Sequence, residues 1–168
     1  MSRKYHTGIN LVLTSWYQRG IMAVLCERVC YKMKTIQAYK KIEGENIPIL
    51  DCKIDGVKGV IIKAGDKYGI FINHREIENS DEEFMILAHE WGHYTSGMLY
   101  CLGSDKTHIS QCEYKADRKA IIEFLPFERI KDAIKNGCQT AYEFSEFLDL
   151  PEQFIVKAFK HYKNMGLI

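Results

Sequence analysis

The chain lacks the features that mark several large classes of protein. It contains three prolines, and no stretch is rich in proline, glycine or serine, so no linker or low-complexity segment is predicted. No apolar run approaches the ~18–20 residues that a membrane span needs. The net charge of +1 provides no overall attraction for nucleic acid or anionic lipid. These absences, with 168 residues of which 46% are hydrophobic, favour one globular domain.

Paired cysteine motifs are also absent. None of the six cysteines belongs to a CxxC pair, which disfavours a cysteine zinc site. Residues 8–25 are interrupted by Gln18 and Arg19, and no small-residue cleavage site follows, so we predict no secretory signal. We therefore expect reduced, mostly buried thiols in a cytoplasmic protein.

Positive charge is concentrated near the N terminus. Residues 1–40 hold seven Lys or Arg residues and one acid, Glu27. No alternation of aromatic and basic residues and no nucleic-acid motif accompanies this charge. Direct binding of nucleic acid is therefore not predicted.

The order of predicted elements indicates an α+β fold. Residues 9–43 have a mostly helical pattern, and residues 48–53 are a short predicted strand. The β-branched and aromatic runs 59–64 and 68–73, joined by residues 65–67, predict a hairpin. A helix, a small sheet and then several helices are typical of the α+β class.

The second half of the chain has a helical pattern with clear end signals. Ser80 with Glu83 and Thr140 with Glu143 have the spacing of capping boxes. Pro126 is a plausible first residue of a helix. Helices are predicted over residues 81–100, 110–124, 126–135, 140–148 and 151–163.

The segment Ala88 to His93 contains an HExxH motif. Four residues advance a helix by about 400°, so His89 and His93 lie on one face, one turn apart. Two imidazoles placed in this way can bind Zn²⁺ at about 2.0–2.1 Å each, and Glu90 can reach the reacting water as a general base. Gly92 costs a helix about 1 kcal/mol relative to alanine, which favours a crowded metal site.

A zinc site with two histidines needs a third protein ligand. Glu113 lies 20 residues after His93, on the next predicted helix, and Asp117 follows one turn later. Glu113 is the predicted ligand, and Asp117 is the predicted acceptor for the second N–H of a liganding histidine. Two alternatives remain: Ser110 and Glu113 also have capping-box spacing, and His108 is a competing ligand or a donor to the tetrahedral intermediate.

These motifs resemble the ImmA/IrrE family of zinc metallopeptidases. The resemblance rests on residues 87–93, 113–126 and 141–156, and it spans about residues 33–162. It implies a zincin-like core in which a small antiparallel or mixed sheet packs on the HExxH helix. It also implies that one Zn²⁺ is held by the two histidines and the glutamate: these residues are His89, His93 and Glu113, with Glu90 as the base.

The same resemblance implies a division of the chain. Residues 1–32 have no recognised counterpart and are interpreted as an N-terminal helical extension. Residues 33–137 are interpreted as the metallopeptidase core, and residues 138–168 as a C-terminal helical tail.

Members of this family are encoded by prophages and integrative elements beside a helix-turn-helix repressor, which they cleave or inactivate. Others act in stress responses or in toxin–antitoxin-like pairs. The expected function is therefore site-specific cleavage of a helix-turn-helix repressor. The alternative is a pseudo-peptidase that sequesters the repressor without cutting it, or a toxin–antitoxin-like component.

Two features of substrate binding follow as hypotheses. The strand over residues 68–73, just before the HExxH helix, is either an edge strand that pairs with an extended substrate or an ordinary half-buried strand. His108, Tyr94 and Tyr100 are the candidate donors to the tetrahedral intermediate.

Overall fold

The chain folds as a long helix, a small sheet and five further helices over the residues that the structure describes. The computed structural model describes residues 22–101 and 103–168, with side chains from Met33 onward. The elements are α1 (Met22–Gly44), β1 (Ile49–Asp51), β2 (Gly59–Ala64), β3 (Lys67–Ile72), α2 (Ser80–Ser96), α3 (Lys106–Phe124), α4 (Phe127–Lys135), α5 (Ala141–Leu148) and α6 (Glu152–Asn164). The predicted α+β class is confirmed for this part of the chain. The predicted helical residues 9–21 lie outside it.

The sheet has the strand order β1-β3-β2. Strands β2 and β3 form the predicted hairpin, and Gly65 has a φ of +62° in its turn, a value that glycine adopts without strain. Strand β1 pairs with the other side of β3 in the parallel direction, with Ile49 opposite Ile70. Of the two interpretations of residues 68–73, the edge strand is therefore wrong, because β1 covers the side of β3 that the hairpin leaves open. The half-buried strand agrees with the observed burial of β3. The edge strand next to α2 is β2.

Helices α2 and α3 are in backbone contact at Gly92. A Cβ atom on Gly92 would lie 2.1 Å from the carbonyl oxygen of Ala116, which is far inside van der Waals contact. Ala116 and Ala120 are buried on α3, and Ala88 is buried on α2. Small residues on both helices therefore allow an approach that larger side chains would prevent.

The C-terminal helices share the core of the rest of the molecule. The ring of Phe84 on α2 packs edge-on against Phe124, at 5.4 Å, and against Phe154 on α6, at 5.3 Å. The Tyr162 hydroxyl donates a hydrogen bond to the Leu125 carbonyl at 2.7 Å. Residues interpreted as a tail thus help to hold α2 and α3 in place. At the other end, α1 runs through Met33 without a break, so that interpreted boundary falls inside a helix.

The helix ends differ from the predictions in ways that affect the site. Asn79, and not Ser80, caps α2, since its side chain accepts a hydrogen bond from the Glu82 N–H. Helix α2 ends at Ser96 because Gly97 adopts a left-handed conformation with φ of +65°. Asp105 caps α3, which starts at Lys106. Glu113 therefore lies beyond the first turn of α3, and its alternative role as a capping residue is wrong.

Two other predicted helix starts lie at or within one residue of the observed ones. Thr140 and Glu143 form the predicted capping box of α5. Pro126 immediately precedes α4 as its N-cap and does not form its first residue.

None of the described helices combines the length and apolar character that crossing a bilayer demands. The cysteines with described side chains are free thiols: Cys52, Cys101, Cys112 and Cys138. The expectation that the thiols are mostly buried is wrong for these four, because Cys112 alone among them is buried and Cys101 is exposed.

Candidate metal centre

The two histidines of the HExxH motif and Glu113 meet between α2 and α3. The Nε2 atoms of His89 and His93 are 3.1 Å apart. Glu113 places Oε2 at 3.1 Å from the His89 Nε2 and Oε1 at 3.4 Å from the His93 Nε2. The structure thus brings together the three residues predicted as ligands. They could hold a metal ion.

The spacing of these atoms is compatible with Zn²⁺. Two ligands at about 2.0–2.1 Å from a tetrahedral ion are about 3.3 Å apart. The two Nε2 atoms are 3.1 Å apart, and each has one oxygen of the Glu113 carboxylate at 3.1 or 3.4 Å. In addition, Glu113 Oε1 is buried and accepts no hydrogen bond. A buried oxygen without a partner is costly, and a cation at this point would remove that cost.

The outer nitrogen of each histidine is fixed by an acceptor. His93 Nδ1 lies 2.8 Å from the Met98 carbonyl oxygen, which can only accept, so this nitrogen carries the proton. His89 Nδ1 lies 3.0 Å from Asp117 Oδ1, as the sequence predicted for Asp117. Protonation at Nδ1 leaves the Nε2 lone pair of a neutral imidazole free to bind a metal. The Met98 carbonyl was not predicted, since no side-chain pattern marks a backbone acceptor.

The acids around His89 raise its pKa. Burial lowers the pKa of His89, but the Asp117 hydrogen bond and the charges of Glu90, Asp117 and Glu113 together raise it above the usual value. Burial also opposes ionisation of Asp117, whereas His89 and Lys157 hold the Asp117 pKa below its usual value. The site therefore has a marked preference for positive charge.

Glu90 is buried beside the histidines. Its Oε2 accepts a hydrogen bond from the backbone N–H of Ile61, in strand β2, at 2.8 Å. Burial raises the pKa of Glu90 despite the opposing influence of His89 and His93. A carboxylate with raised proton affinity suits a general base. The contact between Ile61 and Glu90 was not predicted from the sequence, because it depends on which strand lies at the edge of the sheet next to α2.

Two cavities open onto the site. The smaller one, of about 270 Å³, is lined by the three candidate ligands and Glu90, together with Val60, Leu99 and Tyr100. The larger cleft, of about 1210 Å³, reaches His89 and Glu90. Its walls are residues 56–59, which lead into β2, the segment from Glu78 into α2, and the start of α6. Glu90 thus faces both cavities.

The three candidate donors occupy different places. His108 is near Cys112, with its Nε2 at 3.6 Å from the thiol sulfur, and lines neither cavity. The Tyr94 ring packs against Tyr68, and its hydroxyl points to Glu45 at 3.5 Å. Neither residue is brought to the metal ligands.

Tyr100 is the candidate donor at the site. Its ring centre lies 6.0 Å from that of His93, and it lines the smaller cavity. Interaction with the Glu113 carboxylate, together with partial burial, raises the pKa of Tyr100 to about 12. The hydroxyl therefore keeps its proton near neutral pH and is able to donate it in a hydrogen bond.

Replacing Glu113 should weaken Zn²⁺ binding much more than replacing His108. Glu113→Ala removes one of three ligands, whereas His108→Ala removes a side chain outside the cluster. Competition with a chromophoric chelator would measure both affinities. The opposite ranking would make His108 the third ligand and would exclude Glu113.

Comparisons with protein-family models, curated proteins and solved structures find no match for this chain. The resemblance to the ImmA/IrrE family therefore stays a hypothesis based on the motifs.

Proposed function

We propose that this protein is a Zn²⁺-dependent metallo-endopeptidase of the ImmA/IrrE type. The observation that carries the proposal is the convergence of His89 Nε2, His93 Nε2 and Glu113 at 3.1 to 3.4 Å, beside the buried Glu90. A bound Zn²⁺ supplies Lewis acidity, which makes water a better nucleophile and polarises a peptide carbonyl.

Glu90 is the proton carrier in this proposal. Its carboxylate takes a proton from the attacking water and delivers it to the nitrogen of the departing peptide. The Ile61 N–H holds Oε2, so Oε1 is left to exchange the proton. Burial supports this role because it raises the pKa of Glu90 and hence its affinity for a proton.

The edge of strand β2 is the proposed platform for the substrate backbone. The Asn73 N–H donates to the Lys58 carbonyl at 3.0 Å, and hydrogen-bonded pairs alternate along an antiparallel ladder. The backbone groups of Gly59, Ile61 and Lys63 therefore face away from β3. Because the Ile61 N–H donates to Glu90, the groups available on this edge are the Ile61 carbonyl and the main-chain groups of Gly59 and Lys63. An extended peptide can add to them by hydrogen bonds while its scissile bond lies next to Glu90. In this proposal, β2 has the substrate-pairing role that was expected for residues 68–73.

Tyr100 is the proposed hydrogen-bond donor to the oxygen that becomes negative during attack on the carbonyl. Tyr100→Phe should lower kcat by about 10²-fold, the usual effect of removing one such donor. The Zn²⁺ content should not change, because the hydroxyl is not among the three ligands. Tyr94→Phe, which removes a hydroxyl from the same chain away from the site, is the matched control. Equal kcat values for wild type and Tyr100→Phe would exclude this role.

The proposed substrate is a helix-turn-helix repressor encoded beside the gene for this protein, and the proposed location is the cytoplasm. The family resemblance supports this choice. Co-expression with that repressor tests it: repressor fragments should form with the wild type and not with Glu90→Gln. Derepression with an intact repressor, unchanged in Glu90→Gln, would instead support sequestration without cleavage. Rapid, unselective digestion of casein would contradict both functions.

A further inference from the structure

Asp117 lies where three helices meet. It belongs to α3, and its Oδ1 contacts Nδ1 of His89 on α2 at 3.0 Å. Lys157, on α6, places its Nζ at 3.2 Å from Oδ1 and 3.1 Å from Oδ2 of the same carboxylate. A continuous chain of polar contacts therefore runs from the C-terminal helix to a metal ligand, across 40 residues of sequence between Asp117 and Lys157.

Lys157 restricts how the Asp117 carboxylate can move. A carboxylate that contacts only one imidazole can rotate and lose that contact, since its second oxygen is free. Here the ammonium group contacts both oxygens, so rotation would break contacts with Lys157 as well as with His89. Helix α6 is itself anchored by Ile155 and Ala158, which are fully buried in the core. The position of the carboxylate is thus set from the C-terminal helix.

We propose that Lys157 is a positioning residue for the metal centre, which holds Asp117 in the place where it orients His89. Lys157 also lines the larger cleft together with His89 and Glu90. A substrate in that cleft therefore touches the same side chain that fixes the metal ligand. The proposal rests on the metal centre of the proposed function, but it does not depend on peptidase chemistry.

Whether the removal of Lys157 weakens or strengthens Zn²⁺ binding distinguishes the positioning of Asp117 from simple electrostatics. A positive ammonium group close to a divalent cation repels it, so charge alone predicts tighter Zn²⁺ binding when Lys157 is removed. Positioning predicts weaker binding, because residues that orient a ligand typically change metal affinity by about 10–100-fold. The two explanations therefore predict opposite results.

The test is Zn²⁺ affinity, measured by chelator competition on the purified full chain. Lys157→Met should weaken binding by about tenfold, the lower end of the range for residues behind a ligand. Lys157→Arg should keep most of the wild-type Zn²⁺ affinity, since arginine can also contact both oxygens of a carboxylate. Lys160→Met removes the same charge from an exposed position on α6 and should have no effect. The visible absorption spectrum of the Co²⁺-loaded protein should change with Lys157→Met and not with Lys160→Met.

Combining the variants shows whether Lys157 acts through Asp117. In the Asp117→Asn background, Lys157→Met should cause no further loss of Zn²⁺ affinity, since the contact between Asp117 and His89 that Lys157 stabilises is already changed. The metal-free Lys157→Met protein should melt close to the wild type, as expected for a half-exposed ion pair. Equal or tighter Zn²⁺ binding by Lys157→Met, or full additivity with Asp117→Asn, would overturn the inference and leave the proposed function intact. A wild type that binds no Zn²⁺ would overturn both.

Discussion

Gly92→Ala is expected to destabilise the protein and to weaken Zn²⁺ binding by at least 10²-fold. In an isolated helix this change would stabilise by about 1 kcal/mol, because alanine has the higher helix propensity. Here the new Cβ would lie 2.1 Å from the oxygen and 2.7 Å from the carbon of the Ala116 carbonyl, which is backbone and cannot rotate away. Helices α2 and α3 must therefore separate, at a cost of about 1–3 kcal/mol or more.

The separation should affect the metal site directly. Ala116 lies between Glu113 and Asp117 on α3, so a displacement at Ala116 moves both carboxylates away from the histidines. Thermal melting and chelator competition would measure the two effects. Gly44→Ala is the matched control, because a Cβ at Gly44 meets no atom within 4 Å. Unchanged metal affinity in Gly92→Ala would show that the close contact of the helices is not required for the site.

Glu90→Gln is expected to lower kcat by about 10²–10⁴-fold while Zn²⁺ binding stays normal. The amide has nearly the same shape, and its oxygen can still accept the hydrogen bond from the Ile61 N–H. It cannot take up a proton from water, so the chemical step is lost and the ligands are kept. Cleavage of the repressor by purified protein, with Zn²⁺ content determined in parallel, would measure both properties.

Glu146→Gln, which changes an exposed glutamate on α5, controls for the loss of one negative charge. It should cleave at the wild-type rate. A Glu90→Gln variant that is as active as the wild type would exclude Glu90 as the base, and with it the proposed mechanism. Loss of Zn²⁺ from Glu90→Gln would instead show that this carboxylate supports the metal site.

Local geometry explains which parts of the site could be predicted from the sequence. The spacing of His89 and His93 fixes their relation once the segment is helical, and both lie on α2 as expected. Glu113 and Asp117 are also one turn apart, so placing α3 beside α2 brings Glu113 to the two histidines and Asp117 to the outer nitrogen of His89. The helix pattern of the second half depended on caps and glycines, which act within a few residues.

The parts that could not be predicted depend on contacts between distant segments. The strand order depends on where the short strand β1 pairs. The hydrophobic pattern of its three residues is too short to show that it pairs with β3. From the sequence, Gly92 was associated with a crowded metal site. In the structure, the group that leaves no room for a Cβ atom at Gly92 is the Ala116 carbonyl. The choice of Tyr100 over His108 and Tyr94 depends on the path of the loop after α2. No spacing rule connects Lys157 with Asp117.

The central claim is that His89 and His93 hold a metal ion with Glu113. The most direct test is the Zn²⁺ content of the purified protein, determined by inductively coupled plasma mass spectrometry for the wild type and for His89→Ala/His93→Ala. The control is His74→Ala/His108→Ala, which removes two histidines outside the metal-ligand group. The account predicts one Zn²⁺ per chain in the wild type and the control, and none in His89→Ala/His93→Ala. Full Zn²⁺ content in that double variant, or none in the Zn²⁺-reconstituted wild type, would contradict it.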